Sequence, residues 1–284
     1  MNVQWQELAS PPTLPGLYRR AALRRHISGT DLPHSGLRCW VDIEPGRLAA
    51  YRAVCGFSDS PLLPPTYPHI LAFSLQMQLL TAPAFPFPLL GLIHLSNSIS
   101  VLRPLGGLGR LHVGVSVENL QPHAKGATFD LITQADDQLG PLWQARSRML
   151  CRGVALPGTP LEPSETSAAA LSELTRWPAP AGIGRRYARV SGDYNPIHLS
   201  AISARLFGFP QAIAHGLWNK ARTLAALAEH LPAANLEIAV DFHKPVRLPS
   251  EVILHSSAPG SSGDLRLAGS GGLEHMRGQW RPVG

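Results

Sequence analysis

The densest group of chemically competent side chains in the sequence is Ser191-Gly-Asp-Tyr-Asn-Pro-Ile-His198, where Asp193, Asn195 and His198 fall within six residues. Pro196 breaks regular structure there, which places these side chains on a loop. A loop can turn an Asp and a His five residues apart towards one point, whereas a helix would set them on different faces. A carboxylate beside an imidazole can move protons as a general acid–base pair. The same residue types also make an ordinary polar turn, so local composition leaves both readings open. A second group, Ala214-His215-Gly216, opens an apolar helix. Backbone N–H groups at a helix N-terminus are unpaired and carry partial positive charge. Glycine there lets a carbonyl oxygen approach closely, so the Gly216 N–H is a candidate oxyanion donor. Plain N-terminal capping for Gly216 and a satisfied core histidine for His215 are the competing readings.

The elements that must hold these groups follow from periodicity. Leu217, Ala221, Leu224, Ala228 and Leu231 recur at steps of four and three, which predicts a helix of about four turns ended by Pro232. Leu236, Ile238, Val240 and Phe242 then alternate with polar or small residues as a strand does. Val252/Leu254, Leu265/Leu267 and Met276/Trp280 predict three more strands. The first half shows the same order: a helix near Pro68–Leu80, then strands near 91–103, 110–119, 125–134 and 141–151. One long helix followed by an antiparallel meander is an α+β unit.

The two halves also resemble each other residue by residue. Tyr51-Arg-Ala-Val54-Cys-Gly56 corresponds to Tyr187-Ala-Arg-Val190-Ser-Gly192, and Pro61-Leu62 to Pro196-Ile197. PTYPHIL at 65–71 corresponds to FPQAIAHGL at 209–217, and Arg103-Pro104 to Lys244-Pro245. Three blocks in one order point to an internal duplication. The chain therefore divides into an arm at 1–30, a first unit at 31–155, a Pro-rich linker at 156–180 with a short helix over Ser167–Leu174, and a second unit at 181–284. In the arm, Arg19, Arg20, Arg24 and Arg25 read as a solvated basic face.

Composition removes several classes. With 44% hydrophobic and 15% charged residues, the 284-residue chain is not a disordered one. Cys39, Cys55 and Cys151, with no CxxC, make neither a disulfide scaffold nor a zinc site and fit a reducing compartment. The first twenty residues lack the apolar stretch of a secretory signal. The apolar run from Ile70 to Leu95 is interrupted by Pro83, Pro86 and Pro88 and carries Gln76, Gln78 and His94, which argues against a membrane span. The expected location is cytoplasmic. The net charge of +6 comes almost wholly from arginine, with only three lysines (Lys125, Lys220 and Lys244). Guanidinium forks suit phosphates. The basic residues are dispersed, and no nucleic-acid-binding motif is visible, so nucleic acid is not an expected partner.

Tyr187-Ala-x-x-Ser191-Gly-Asp193-x-Asn195-Pro-Ile-His198, then Phe207-Gly-Phe209, then Ile213-Ala-His215-Gly216, resembles the signature of MaoC-like (R)-specific enoyl-CoA hydratases and dehydratases. The resemblance covers the second unit fully and the first in outline, as in the double hot-dog members. It implies two hot-dog units, each a long helix wrapped by a curved antiparallel sheet, joined into one continuous sheet as an intrachain pseudo-dimer. The implied substrate is a 2-enoyl thioester of coenzyme A or acyl carrier protein, hydrated to the (R)-3-hydroxyacyl thioester. Asp193 and His198 would hold one water, Asn195 would orient the water or the loop, and the Gly216 N–H would bind the thioester oxygen. His215, Tyr187, Arg185 and Lys244 would contact substrate, with Arg186 and Lys220 as further candidates for its phosphates. No metal and no organic cofactor are implied; a homodimer of the pseudo-dimer is possible in such a fold. In the first unit Phe57 stands opposite Asp193 and Asp59 opposite Asn195, and no His partner follows, so that copy is expected to be inert. Its helix is expected to have moved or shortened, leaving an acyl space lined by Phe73, Leu79, Leu80, Phe85 and Phe87. A hot-dog thioesterase, usually with an acidic residue on the central helix, and a non-catalytic acyl-thioester binder are the alternatives. Glu229, near the C-terminal end of that helix, is a poor fit to the former.

Overall fold

The computed structural model describes residues 3–160 and 171–284. The first part runs β1 (Gln4–Glu7), α1 (Leu14–Leu23), β2 (Ser35–Asp42), α2 (Pro45–Cys55), α3 (Tyr67–Leu80), β3 (Ile93–Val101), β4 (Arg110–His123), β5 (Gly126–Asp137) and β6 (Gly140–Arg152). The second runs β7 (Ser172–Ala179), α4 (Ile183–Ser191), a 3-10 turn at Pro196–His198, α5 (Ala201–Arg205), α6 (Gly216–Ala226), β8 (Leu236–Phe242), β9 (Ser250–Ser256), β10 (Gly263–Gly269) and β11 (Glu274–Arg281).

All the strands share one sheet, in the order β1-β2-β4-β5-β6-β3-β8-β11-β10-β9-β7. Read outward from the middle, each half has the same connectivity. β3 answers to β8, β6 to β11, β5 to β10, β4 to β9 and β2 to β7. The halves meet where β3 pairs antiparallel with β8, with Ile99 opposite Ile238. Both isoleucines are fully buried, so the seam is itself core. α3 lies on β2, β4 and β5. It is buried on nearly every side, which is what a helix wrapped by a curved sheet requires. Two helix-and-sheet units forming one continuous sheet are therefore what the sequence encodes.

The duplication is visible in local geometry. α2 and α4 pack on each other and end alike, at Gly56 with φ 76° and Gly192 with φ 85°. That left-handed conformation favours glycine over any residue with a Cβ. Tyr51 and Tyr187, matched in the alignment, are both buried, with ring centroids 6.2 Å apart.

Four expectations change. Residues 172–179 are not linker but strand β7, paired with β9. The described part of the expected Ser167–Leu174 helix is thus the start of a strand; the rest lies outside the described residues. The arm at 1–30 is folded: β1 adds to β2 in parallel and α1 buries Leu17 and Ala21. In its basic cluster, Arg24 bonds the Ala82 and Phe85 carbonyls and Arg20 bonds Gln78, so part of that face ties α1 to the segment around α3. α6 stops at Ala226, since the His230 N–H turns back onto the Leu227 carbonyl at 2.8 Å. Of the expected stripe Ala221 and Leu224 are buried, joined by Trp218 and Leu227, while Leu217 and Leu231 are half-buried and Ala228 is exposed. Finally, of the two changes expected of the first unit's helix, moved or shortened, the second is not found: α3 has 14 residues against 11 in α6. No helix among the described residues is long and apolar enough to cross a membrane.

Candidate active site

Asp193 follows directly on the left-handed Gly192 that ends α4. Short-range bonds then fix the loop. The Asp193 N–H donates to Ser191 Oγ at 3.1 Å, and the Asn195 N–H donates to Asp193 Oδ1 at 3.1 Å. Asn195 Oδ1 accepts the Ile197 N–H and opens the 3-10 turn, with Pro196 as its first residue. Asn195 therefore shapes the loop through both its backbone and its side chain. The turn ends on His198, whose Nδ1 lies 2.8 Å from the Ile213 carbonyl. A carbonyl can only accept, so Nδ1 carries the hydrogen and Nε2 is left with a lone pair.

His215 comes in from the other side. Its Nε2–H donates to the Asp193 backbone carbonyl at 2.9 Å, and Asp193 Oδ2 lies 3.8 Å from the same nitrogen. The His215 ring stacks on His198 at 3.6 Å between centroids and meets Tyr187 at 4.8 Å. One nitrogen of each histidine and one carboxylate oxygen of Asp193 fall within 4.8 Å of one another. Both imidazoles are buried. Burial pushes the His198 pKa down, against an upward pull from Asp193 and the Ile213 carbonyl. Burial and the neighbouring His198 push His215 well down. Both rings are therefore neutral near pH 7, with His198 an acceptor at Nε2.

Such spacing also occurs in metal triads. Here, however, His215 Nε2 carries the hydrogen given to the Asp193 carbonyl, and its Nδ1 is buried without a partner. A nitrogen with its hydrogen attached has no lone pair for a cation. What remains is two acceptors, Asp193 Oδ2 and His198 Nε2, suited to the two hydrogens of one water.

The oxyanion donor is placed by chain continuity. His215 is the N-cap of α6 without a side-chain cap bond, so the N–H groups of the first turn, beginning with Gly216, are unpaired within the helix. Gly216 is only partly buried. A Cβ on it would fall 3.1–3.3 Å from the Phe242 ring, and that ring lies 5.0 Å from His94. Close approach also governs Gly184, on α4, because an added Cβ would overlap the His198 carbonyl oxygen. Gly184→Ala must push α4 away from the turn carrying His198. Overpacking of this kind costs about 1–3 kcal/mol, read as a lower melting temperature. Displacing the His198 nitrogen by a fraction of an ångström should lower kcat/KM about tenfold or more.

A family model described as "MaoC like domain" matches residues 167–262. The 3-hydroxyacyl-thioester dehydratase X of Mycobacterium tuberculosis is 38% identical over 233 residues, spanning 80% of this chain and 81% of that one. The chain belongs to the MaoC-like dehydratase family. The crystal structure of HtdX from the same organism superposes with a TM-score of 0.76 at 32% identity, covering 87% of this chain and 99% of that one. Peroxisomal enoyl-CoA hydratase 2 of Arabidopsis thaliana is 28% identical over 54% of each chain. A second M. tuberculosis protein, described as having a double hotdog fold, matches at a TM-score of 0.54 and 14% identity, a likeness of fold alone.

In this MaoC-like chain the structure brings Asp193, Asn195, His198, His215 and Gly216 together, and not the other expected substrate contacts. Tyr187 is buried behind His215 between that ring and Tyr51, so it backs the site. His215, expected on the substrate, has its donor on the Asp193 carbonyl and its ring on His198. Arg185 is exposed and donates to the Leu199 carbonyl at 2.8 Å. Lys244 is exposed, and among the described residues its bonds are those of its backbone, to Glu274 and His275. Lys220 cannot meet a phosphate: it is fully buried and gives its three hydrogens to Asn97 O, Asn97 Oδ1 and Ile238 O at 2.7–3.0 Å, tying α6 across the β3–β8 seam. Phe85, Phe87, Leu79 and Leu80 are core, the two phenylalanines clustering with Phe129. Phe73 of that set lies beside Gly192, where the loop carrying Asp193 begins. In the first unit Asp59 is exposed and paired with Arg52 at 3.1 Å. The approach of Phe242 to Gly216 and His94, and of Gly184 to His198, had no signal in the sequence, since each joins residues that are not neighbours in the chain.

Proposed function

We propose that this chain catalyses the reversible addition of water to 2-enoyl thioesters of coenzyme A or acyl carrier protein, giving (R)-3-hydroxyacyl thioesters. The observation that carries the proposal is that a carboxylate oxygen of Asp193 and one nitrogen each of His198 and His215 lie within 4.8 Å of one another beside the N-terminus of α6, with Asp193 Oδ2 and His198 Nε2 left as acceptors. A water that donates one hydrogen to each acceptor must aim its lone pairs elsewhere, at the substrate's C3. As the C3–O bond forms, the C2–C3 double-bond electrons move towards the thioester carbonyl. The Gly216 N–H stabilises the charge that gathers on its oxygen, a donor type whose loss typically costs about 10²–10³ in rate. One water proton passes to the Asp193/His198 pair and is returned to C2 on the same face. The other stays on the new hydroxyl, and no atom is left over. The two groups act as a pair, so their titrations are those of the pair.

The thioesterase alternative weakens, because α6 ends at Ala226 and Glu229 falls in the turn beyond it. Purified protein mixed with crotonyl-CoA should bleach the absorbance of the conjugated thioester without releasing free thiol, and the product should be the (R) alcohol. Free thiol appearing at the rate of bleaching, or an unchanged spectrum across short and long enoyl chains, would overturn the proposal.

A further inference from the structure

The loop that carries Asp193 is gripped from the N-terminal part of the chain. Tyr18, on α1, donates its hydroxyl hydrogen to the Gly192 carbonyl at 2.6 Å and accepts the Tyr194 N–H at 2.7 Å. One hydroxyl thus bridges the two residues that flank Asp193. The Tyr18 and Tyr194 rings meet edge-on at 6.3 Å. Leu14, one turn earlier on α1, covers Gly192 so closely that a Cβ there would fall 2.8 Å from its Cδ1. Arg47, on α2, continues the grip. Its Nε donates to the Val190 carbonyl at 2.9 Å and its Nη2 to the Ser191 carbonyl at 3.4 Å.

Three successive carbonyls at the end of α4, and the N–H just past Asp193, therefore find partners in residues that precede position 50. Neutral tyrosine suits this bridge, because its hydroxyl is one donor and one acceptor and the loop offers one of each. Burial and the nearby Asp193 charge raise the Tyr18 pKa and keep that hydrogen in place.

We propose that Tyr18 and Arg47 are positioning residues for Asp193, so that the N-terminal arm and the inert first unit hold the catalytic carboxylate in register. This rests on the reading of Asp193 as catalytic given under the proposed function. Misplacing a reacting group by about 1 Å can cost about 10²-fold in rate. Tyr18→Phe keeps the ring and removes both bonds. Two readouts in the full-length protein test it. The first is the kcat–KM split with crotonyl-CoA: kcat should fall about 10- to 100-fold while KM stays within about twofold. The second is independent of turnover: hydrogen exchange at the Tyr194 amide should quicken about tenfold or more. If the parent protein fails to turn over enoyl thioester, the functional reading fails while the exchange result still reports on the grip. For the positioning role itself, kcat within twofold of the parent overturns it, and so does a kcat loss with unchanged exchange. If Tyr18→Phe melts below the assay temperature, Arg47→Gln is read in the same way at Val190–Asp193. Melting of both variants would show that these contacts hold the fold rather than the loop, and would also overturn it.

Discussion

Asp193→Asn should lower kcat by about 10³-fold, within the range of about 10²–10⁴ expected when one proton-transfer partner is lost, while the melting temperature and KM barely change. The reason lies in how the two carboxylate oxygens are used. Oδ1 accepts the Asn195 N–H at 3.1 Å, a bond the amide oxygen of asparagine can keep. The backbone carbonyl still receives the His215 Nε2–H. The loop therefore stays where it is. What is lost is the acceptor at Oδ2, replaced by an NH₂ group that can only donate. A water between that group and His198 Nε2 can no longer give a hydrogen to both sides, so its lone pairs are no longer aimed and its proton has no paired destination. Steady-state kinetics with crotonyl-CoA, next to a thermal melt of the same preparation, measures both halves of this. A variant active within tenfold of the parent would remove Asp193 from the chemistry.

How much of this was legible in the sequence depends on range. The Ser191–His198 loop was, because its geometry is local: the side chains of Ser191, Asp193 and Asn195 each accept the N–H of the residue two positions on. The strand alternation from Leu236 to Phe242 was, because a sheet with one buried face imposes a period of two. β7 was not. It lies at the edge of the sheet, where Pro178 and charged residues such as Glu173 and Arg176 are tolerated, and those are also the marks of a linker. The end of α6 was misjudged because Ala228 and Leu231 continue an apolar stripe beyond the point where the backbone turns. Lys220 read as a surface cation because burial of an ammonium depends on three oxygens from β3 and β8 that no spacing rule brings together. His215 is the instructive intermediate case: its motif was visible, but its job depends on which nitrogen holds the hydrogen, and the Asp193 carbonyl decides that. Tyr18, 176 residues from Tyr194, lay beyond any local pattern.

Acid should unfold this protein earlier than carboxylate titration alone would. His69, on α3, is 6% exposed, and burial lowers its pKa to about 3, with His94 and Lys220 adding to the effect. Burial likewise lowers His94 to about 4, and His198 and His215 shift in the same direction. A histidine in the unfolded chain titrates near 6.5. Above that pH neither state holds the extra proton, and stability is full. Below it the unfolded chain takes a proton that the folded site refuses, so stability falls with decreasing pH by about 1.4 kcal/mol per pH unit for each such ring, until the folded pKa is reached. At pH 5, His69 and His94 together cost about 4 kcal/mol on this basis, a large fraction of the stability of an ordinary domain. The buried Asp130 acts in a lower window: burial raises its pKa, but bonds from Arg148, Asn119 and Arg146 hold it below the usual carboxylate range, so its contribution is lost only as pH falls further. Melting temperature plotted against pH should therefore be level near neutrality and break downward just below 6.5. His69→Gln should make the descent shallower by one ring's worth. A curve that stays level to pH 4.5 would mean that the four imidazoles are not held neutral. It would also mean that His198 takes a proton in the folded protein as readily as in the unfolded chain, so Nε2 would be filled and turnover lost below about pH 6.5.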